Sequence, residues 1–316
     1  MKLSFVVPVF NEEQSLEQLY SEIIDNIKNY DYEIIFIDDG STDRSFEKMK
    51  KLSENDRNVK ILKFRKNFGK SAGLQVGFEH ANGDIIFTMD SDLQDNPKEI
   101  PNFIRKIEEG YDLVTGWKKK RRDPISKTIP SKFFNSVTSG TFKLKLHDYN
   151  CGFKAYRKEV IEELDIYGEM HRYIPALAYA KGFKVAEIPV EHRKREFGKS
   201  KYGIERYVRG FLDLLTVKLV TAYIHSPLYL FGRIGTTFTI FGFLVGLYLT
   251  IMKFGYGQPL SNRPLLYLSI LLIMVGIQFF SIGLLGELII NQGRILNKRK
   301  KISIEETINL DIENGK

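Results

Sequence analysis

Cysteine occurs once in this 316-residue chain, at Cys151. An internal disulfide and any zinc site built from several cysteines are therefore excluded. Histidine is nearly as scarce, with five, and His147, His171 and His192 read as structural residues rather than a general base. There is one tryptophan, Trp117. Hydrophobic residues make up 43% and charged residues 27%, which excludes a disordered or fibrous chain. What is in excess is positive charge: 47 Lys and Arg against 39 Asp and Glu, a net of +8. Such an excess suits nucleic acid, anionic lipid or phosphorylated ligands. No nucleic-acid fold signature accompanies it, so nucleic acid is not an expected partner.

Charge is missing altogether from two later stretches. Between Arg233 and Lys253 lie 19 uncharged residues, and residues 265–286 are 22 more. At ~1.5 Å per helical residue, each can cross a hydrocarbon core of ~30 Å. The link between them carries Gly255, Gly257, Pro259 and Pro264, which predicts a turn and hence a helical hairpin. Arg294, Lys298, Arg299, Lys300 and Lys301 follow the second stretch without an acid among them, whereas the link holds only Lys253 and Arg263. The positive-inside rule then places both long ends in the cytoplasm. No signal peptide is expected, since strand-like sequence starts at Leu3. The reading is an integral protein of the inner (cytoplasmic) membrane with two spans and cytoplasmic N- and C-termini.

The first two hundred residues alternate short apolar β-branched runs with amphipathic segments. Strands are predicted at 3–9, 33–38, 59–64, 84–89 and 112–115, with helices at 12–29, 42–55, 71–81 and 97–109 between them. This order specifies an α/β fold whose mostly parallel sheet is covered on both faces. Ligands in such sheets bind beyond the C-terminal strand ends. Those ends carry Pro8, Phe10, Asn11 and Glu12, then Asp38, Asp39, Gly40 and Ser41, then Asp90, Ser91, Asp92, Leu93, Gln94 and Asp95. Asp90 and Asp92, two apart in extended chain, point the same way. Hard oxygen donors of this kind suit Mg²⁺ or Mn²⁺, with phosphate oxygens completing the shell. For Asp38 and Ser41, turn capping stands beside ligand contact as an open alternative.

VVPVFNEE (6–13), IDDGSTDRS (37–45) and MDSDLQD (89–95), in that order, resemble the family 2 glycosyltransferases of the GT-A (Rossmann-like) fold. The DSDLQDNP variant followed by two C-terminal spans is similar to the polyprenyl-phosphate glycosyltransferases, the group of dolichol-phosphate mannose synthase and the bacterial enzymes that glucosylate undecaprenyl phosphate. The likeness runs over residues 3–295. It implies that Pro8, Phe10 and Glu12 form the nucleotide-contacting loop, that Asp39 accepts from the donor base, and that Asp90 and Asp92 meet ribose and metal with Gln94 as a neutral ligand. Arg195, Ser200 and Lys201, in RREFGKSKY, resemble the phosphate-holding RxxGxSKY motif, with Gly198 in a loop able to close on the donor. Lys118 stands where the family has the Arg of GxR, and Lys127 falls near the usual acceptor-phosphate Arg. Each keeps the charge and loses the bidentate fork. Asp148 matches an Asp that orients the acceptor site. Asp90, Asp92, Asp148, Arg195 and Lys201 are thus the expected catalytic set.

Four regions are expected: a cytoplasmic glycosyltransferase domain at 1–203, an interfacial amphipathic helix at 204–230, two transmembrane helices within 231–292 (about 232–253 and 264–288), and a basic juxtamembrane tail at 293–316. The interfacial helix would bring a lipid phosphate to the sheet edge while its tail stays in the bilayer. The implied reaction is inverting transfer of one sugar from a nucleotide diphosphate, a UDP-sugar in the first instance, to undecaprenyl phosphate or a similar polyprenyl phosphate. UDP-glucose or a UDP-N-acetylhexosamine is favoured over GDP-mannose. Homo-oligomer formation is left open. Two rivals share the fold or the motifs: a processive polysaccharide synthase, whose QxxRW motif and additional spans this chain lacks, and a catalytically silent nucleotide-sugar-binding membrane protein. A small transporter is poorly supported by two spans.

Overall fold

A computed structural model of the protein describes residues 1–119, 135, 137–142, 144–193, 216–219, 226–260 and 263–296. The chain divides into two compact units, Met1–Val217 and Lys218–Ile302, the second carrying the two long helices.

In the first unit the elements follow as β1 (Lys2–Val9), α1 (Leu16–Asn26), β2 (Asp31–Asp38), α2 (Ser45–Asn55), β3 (Val59–Lys63), α3 (Lys70–His80) and β4 (Ile85–Thr88). A 3₁₀ turn at Pro97–Glu99 leads into α4 (Ile100–Glu108). Proline needs no amide partner in that first turn, and Asn96 caps it by accepting from the Lys98 amide at 3.1 Å. Then come β5 (Leu113–Trp117), β6 (Lys154–Arg157), α5 (Lys158–Glu163), a second 3₁₀ turn (Met170–Arg172), α6 (Ile174–Ala180) and β7 (Val185–Pro189).

The seven strands form one sheet in the order β3-β2-β1-β4-β6-β5-β7. The first four are mutually parallel, as the alternating sequence predicts. β6 runs antiparallel to both β4 and β5, while β5 and β7 are parallel. β6 and β7 are the strands absent from the sequence reading. Period-two alternation divides the core: Phe5, Val7, Phe36 and Phe87 pack under α1 and α4, while Val6, Ile35, Ile37 and Ile86 pack on the other face with Leu74 and Phe78 of α3. α3 lies close on the sheet because Gly77 has no side chain; a Cβ there would sit 2.3 Å from Val6. At roughly 25 cal/mol per Å² of apolar surface, these two cores supply the main driving force for the domain.

In the second unit, α7 (Pro227–Tyr256) and α8 (Pro264–Leu296) form an antiparallel hairpin. Both are long and apolar enough to cross a membrane, and most of their apolar side chains are exposed, unlike those of a soluble protein's core helix. The buried side is a seam of small residues. A Cβ on Gly235 would lie 2.5 Å from the Gly276 carbonyl, and Ser269 donates its hydroxyl to the Gly242 carbonyl at 2.8 Å. Phe241, Phe243, Met274 and Leu285 face outward. Of the expected interfacial helix, residues 216–219 are helical, with Val217 buried in the core of the first unit. The rest up to residue 225 lies outside the described residues, as does the basic tail from residue 297.

Candidate active site

The C-terminal ends of β1, β2 and β4 converge on one rim, and their loops are bonded to one another. The Asn11 amide donates to Ser41 Oγ at 3.0 Å, and Asn11 Oδ1 accepts from the Thr42 amide at 2.8 Å. Asn11 holds a left-handed φ of 54°, a conformation its short polar side chain tolerates. Pro8, Phe10 and Glu12 are half-buried along this loop. Asp38 Oδ1 accepts from the Ser41 amide at 2.9 Å, the turn-capping alternative. Asp39 is buried, and its two oxygens accept from the Phe68 and Gly69 amides at 2.6 and 2.9 Å. Burial raises its carboxyl above the usual value despite those bonds. Asp39 thus ties the β2 end to the loop that opens α3.

The β4 end carries the acidic cluster. The only other non-glycine left-handed residue among those described is Leu93, at φ 61°, within the Asp-Leu-Gln turn. Its side chain is 2% exposed in the core, so apolar burial offsets the strained backbone and pins the turn. Asp92 Oδ1 accepts from the Gln94 amide at 3.2 Å. Asp90, half-buried, is ion-paired through Oδ1 with Lys70 Nζ at the start of α3. Its own amide donates to Asp95 Oδ2 at 3.3 Å. Lys118 Nζ sits 3.3 Å from Asp95 Oδ1. Burial alone would raise the Asp90 carboxyl, but Lys70, Lys118 and Lys154 hold it well below the usual carboxylate range. For Lys118, burial works against the charge and loses to Asp95 and its acidic neighbours, which raise the ammonium above the ordinary lysine value. Asp90 and Lys118 are thus both held in their charged forms at the rim.

Two further contacts close the rim. Gly152, facing Asp90 across the β4–β6 pair, leaves room for the carboxylate: a Cβ there would fall 2.5 Å from Asp90 Oδ2. Arg193 forks onto Glu22 at 3.1 and 2.6 Å and donates to the Asp95 carbonyl at 2.9 Å, while its amide donates to the Gln94 carbonyl at 3.0 Å. Asp148 is buried, with Oδ1 accepting from the Asn150 amide at 3.1 Å. Lys127, Arg195, Ser200 and Lys201 lie outside the described residues.

Two of the histidines, His147 and His171, are engaged in structure. His147 Nδ1 meets Glu187 and its ring stacks on Trp117, while His171 Nδ1 lies 2.9 Å from Ser71 Oγ. Burial, with Lys70 adding to it, holds His171 neutral. Cys151 is buried, which pushes its thiol up to about 12 and leaves it unreactive.

The glycosyl transferase family 2 model matches residues 4–165. Over 296 residues the sequence is 38% identical to the dodecaprenyl-phosphate galacturonate synthase of Rhizobium johnstonii, spanning 92% of this chain and 88% of that one. The chain belongs to glycosyl transferase family 2. A second relative of this glycosyltransferase is the undecaprenyl-phosphate 4-deoxy-4-formamido-L-arabinose transferase of Shewanella sediminis, 38% identical over 93% of this chain and 87% of the relative. Both place it among the polyprenyl-phosphate glycosyltransferases of the family. Among solved structures, the glucosyl-3-phosphoglycerate synthase of Mycobacterium tuberculosis, crystallised with Mn²⁺, UDP and phosphoglyceric acid, superposes with a TM-score of 0.55 at 17% identity, over 70% of this chain and 78% of that one. That likeness is one of fold, and it is the GT-A fold expected from the motifs.

Sequence reasoning missed Lys70, Asp95's pairing role, Gly152 and Lys154. Lys70 in NFGKSAG reads as an ordinary solvated lysine, and only the sheet order brings α3 beside the β4 end. The signal for Gly152 was its place in CGFK, immediately before a strand that had not been recognised.

Proposed function

We propose that this glycosyltransferase moves a single sugar from a UDP-sugar to a polyprenyl phosphate, with inversion at the anomeric carbon, on the cytoplasmic face of the inner membrane. The observation that carries the reading is the row of paired acids and lysines at the β4 end, Asp90 with Lys70 and Asp95 with Lys118, at the strand-end position where α/β sheets bind ligands. The two apolar spans and the names of the relatives support a lipid acceptor.

The chemistry asked of the protein is modest. A phosphate monoester is largely dianionic near neutral pH, because its second pKa is about 6, so the acceptor needs no strong base. The engagement of His147 with Glu187 and of His171 with Ser71 accords with that. Negative charge develops on the departing nucleoside diphosphate, and pre-placed cations stabilise it. Lys70, paired with Asp90, and Lys118, paired with Asp95, stand at the rim for this role. In this reading Pro8, Phe10, Glu12 and Asp39 frame the nucleoside, Arg195, Ser200 and Lys201 hold phosphate, Lys118 and Lys127 serve the acceptor, and Asp148 orients it.

A divalent ion fits the residues present. Asp90 already accepts a full positive charge, from Lys70, within a cradle kept open by Gly152. The described residues contain no cluster of three or more His, Cys, Asp or Glu for a metal. Asp90, Asp92 and Gln94 make instead a sparse, hard-oxygen set of the kind that holds Mg²⁺ or Mn²⁺ together with substrate phosphates. When bound, the ion adds Lewis-acid stabilisation of the leaving diphosphate.

The test is direct. Full-length protein, undecaprenyl phosphate, Mg²⁺ or Mn²⁺ and a panel of radiolabelled nucleotide sugars should yield an organic-extractable labelled lipid with one of them. No labelled lipid from any donor would leave the silent-binder reading in its place.

A further inference from the structure

The two ion pairs of the rim differ in how easily they part. Lys118 and Asp95 are 13% and 1% exposed, so separating them would strand a buried carboxylate. Lys70 and Asp90 are 22% and 33% exposed, and water can receive either charge when they separate. The root of Lys70 is nonetheless fixed. It opens α3, and the two residues before it, Phe68 and Gly69, donate their amides to Asp39 at 2.6 and 2.9 Å. A rigid root and a flexible four-carbon stem give the ammonium a short arc of travel between the β2 end and the β4 end. The oxygen it holds, Asp90 Oδ1, is also one that a divalent ion at this carboxylate would need. Another side of the carboxylate is packed on Gly152, where a Cβ would lie 2.5 to 2.8 Å from its atoms. Lys118 and Lys154, the latter buried one rung deeper opposite Thr88, act on the same carboxylate. A divalent ion arriving alone therefore meets three lysines around Asp90, one of them already on the oxygen.

Resting on the reading above, we propose that Lys70 is an exchangeable counter-ion: its ammonium holds Asp90 until donor arrives and then passes to the donor's diphosphate, so that a divalent ion is taken up tightly only together with its nucleotide. In that reading the nucleoside meets Asp39 and the diphosphate meets the β4 rim, on either side of Lys70. The diphosphate brings the negative charge that compensates both cations, and a charge-assisted bond to a phosphate oxygen replaces the bond to Asp90. Two cations on one carboxylate oxygen repel, and that repulsion couples ion to nucleotide by the same factor in both directions. Lys118 stays with Asp95 throughout. A lysine that only steadied the Asp90 side chain has the opposite signature, since removing it would weaken the ion's hold.

Full-length protein in detergent tests this with Mn²⁺, counted by the paramagnetic resonance of the free ion, and with UDP as the diphosphate probe. In wild type, UDP should tighten Mn²⁺ binding at least about thirtyfold. Lys70→Met should bind Mn²⁺ alone at least about fivefold more tightly than wild type and lose at least about fivefold of the gain from UDP, while Lys70→Arg behaves as wild type. A second readout follows the wild-type side chain by pulsed acetylation and peptide mass spectrometry. Lys70 should label at least about threefold faster with saturating Mn²⁺ alone and slow again when UDP joins, with Lys118 unchanged. That measurement carries the test if Lys70→Met fails to fold. Mn²⁺ affinity unchanged or weakened in a folded Lys70→Met, a gain from UDP as large as in wild type, Lys70 labelling indifferent to Mn²⁺, or no Mn²⁺ binding at all overturns the proposal. Because binding is read apart from turnover, exchange at Lys70 without a labelled lipid refutes the transferase reading alone, and lipid labelling without that exchange refutes the counter-ion role alone.

Discussion

Substituting Gly152 by alanine should disable the enzyme while leaving it folded. The added methyl carbon would lie 2.5 Å from Asp90 Oδ2, 2.6 Å from its Cγ and 2.8 Å from Oδ1, whereas ordinary contact begins at 3.4 Å. The carboxylate must therefore retreat by roughly 0.6–0.9 Å. Gly152 has no left-handed φ, so alanine imposes no backbone strain. The Asp90 side chain is 33% exposed and has an easy way out, by rotating toward solvent and away from Lys70. Relief by that route keeps the stability cost to about 1 kcal/mol, at the low end of overpacking. Catalysis has no such escape, because a displacement of about 1 Å at a charge-positioning group costs roughly 100-fold. That corresponds to about 2.7 kcal/mol in the barrier. The assay is kcat/KM for labelled-sugar transfer to undecaprenyl phosphate, alongside a thermal melt and a Mn²⁺ titration of the rate. A variant with turnover and half-saturating Mn²⁺ within about threefold of wild type would show that Asp90 does not need its present position, and the metal assignment would go with it.

Asp92→Ala should abolish turnover at every Mg²⁺ or Mn²⁺ concentration, and near-normal activity would remove Asp92 from the ion's ligands. Lys201→Ala should lose activity while the protein inserts in membranes and melts as wild type does; a parallel loss of insertion would make its role structural. Glu33, 1% exposed, accepts from Ser4 Oγ, from the Asn82 amide and from Lys60. Burial opposes its charge, but these partners lower its carboxyl from 4.5 to about 2. A depressed folded value means the stabilisation is present above pH 4.5 and is lost as pH falls through about 2. Glu33→Gln should thus be less stable at pH 7 by on the order of 3 kcal/mol and show a flatter acid limb in melts from pH 7 to pH 3, and identical acid limbs would refute the assignment.

Much of the fold was legible because it is written in local periodicity. β1 to β4 and their helices alternate apolar runs with amphipathic turns, and the burial of both sheet faces follows from uninterrupted apolar strands such as Ile34–Ile37. β6 escaped notice because Lys154-Ala-Tyr-Arg157 is four residues long and charged at both ends, which reads as surface. Its inward lysine is the exception that makes it interesting. The carboxylates at the rim were visible as motifs, since strand-end loops place neighbouring residues together. Their counter-ions were not, because Lys70 comes from 20 residues upstream and Lys118 from 23 residues beyond Asp95. Such partners are chosen by sheet order, which no local pattern records. The basic cluster at 118–122 illustrates the same point: Lys118 is drawn inward by one buried acid while Lys119 lies over the Trp117 ring.

The reversed strand has an evolutionary reading. Gly152 and Asp90 stand far apart in the chain, yet a methyl group on one would press on the carboxylate of the other. Drift at the two positions is thereby tied together: a larger residue at 152 becomes tolerable once 90 no longer has to keep a carboxylate in that place.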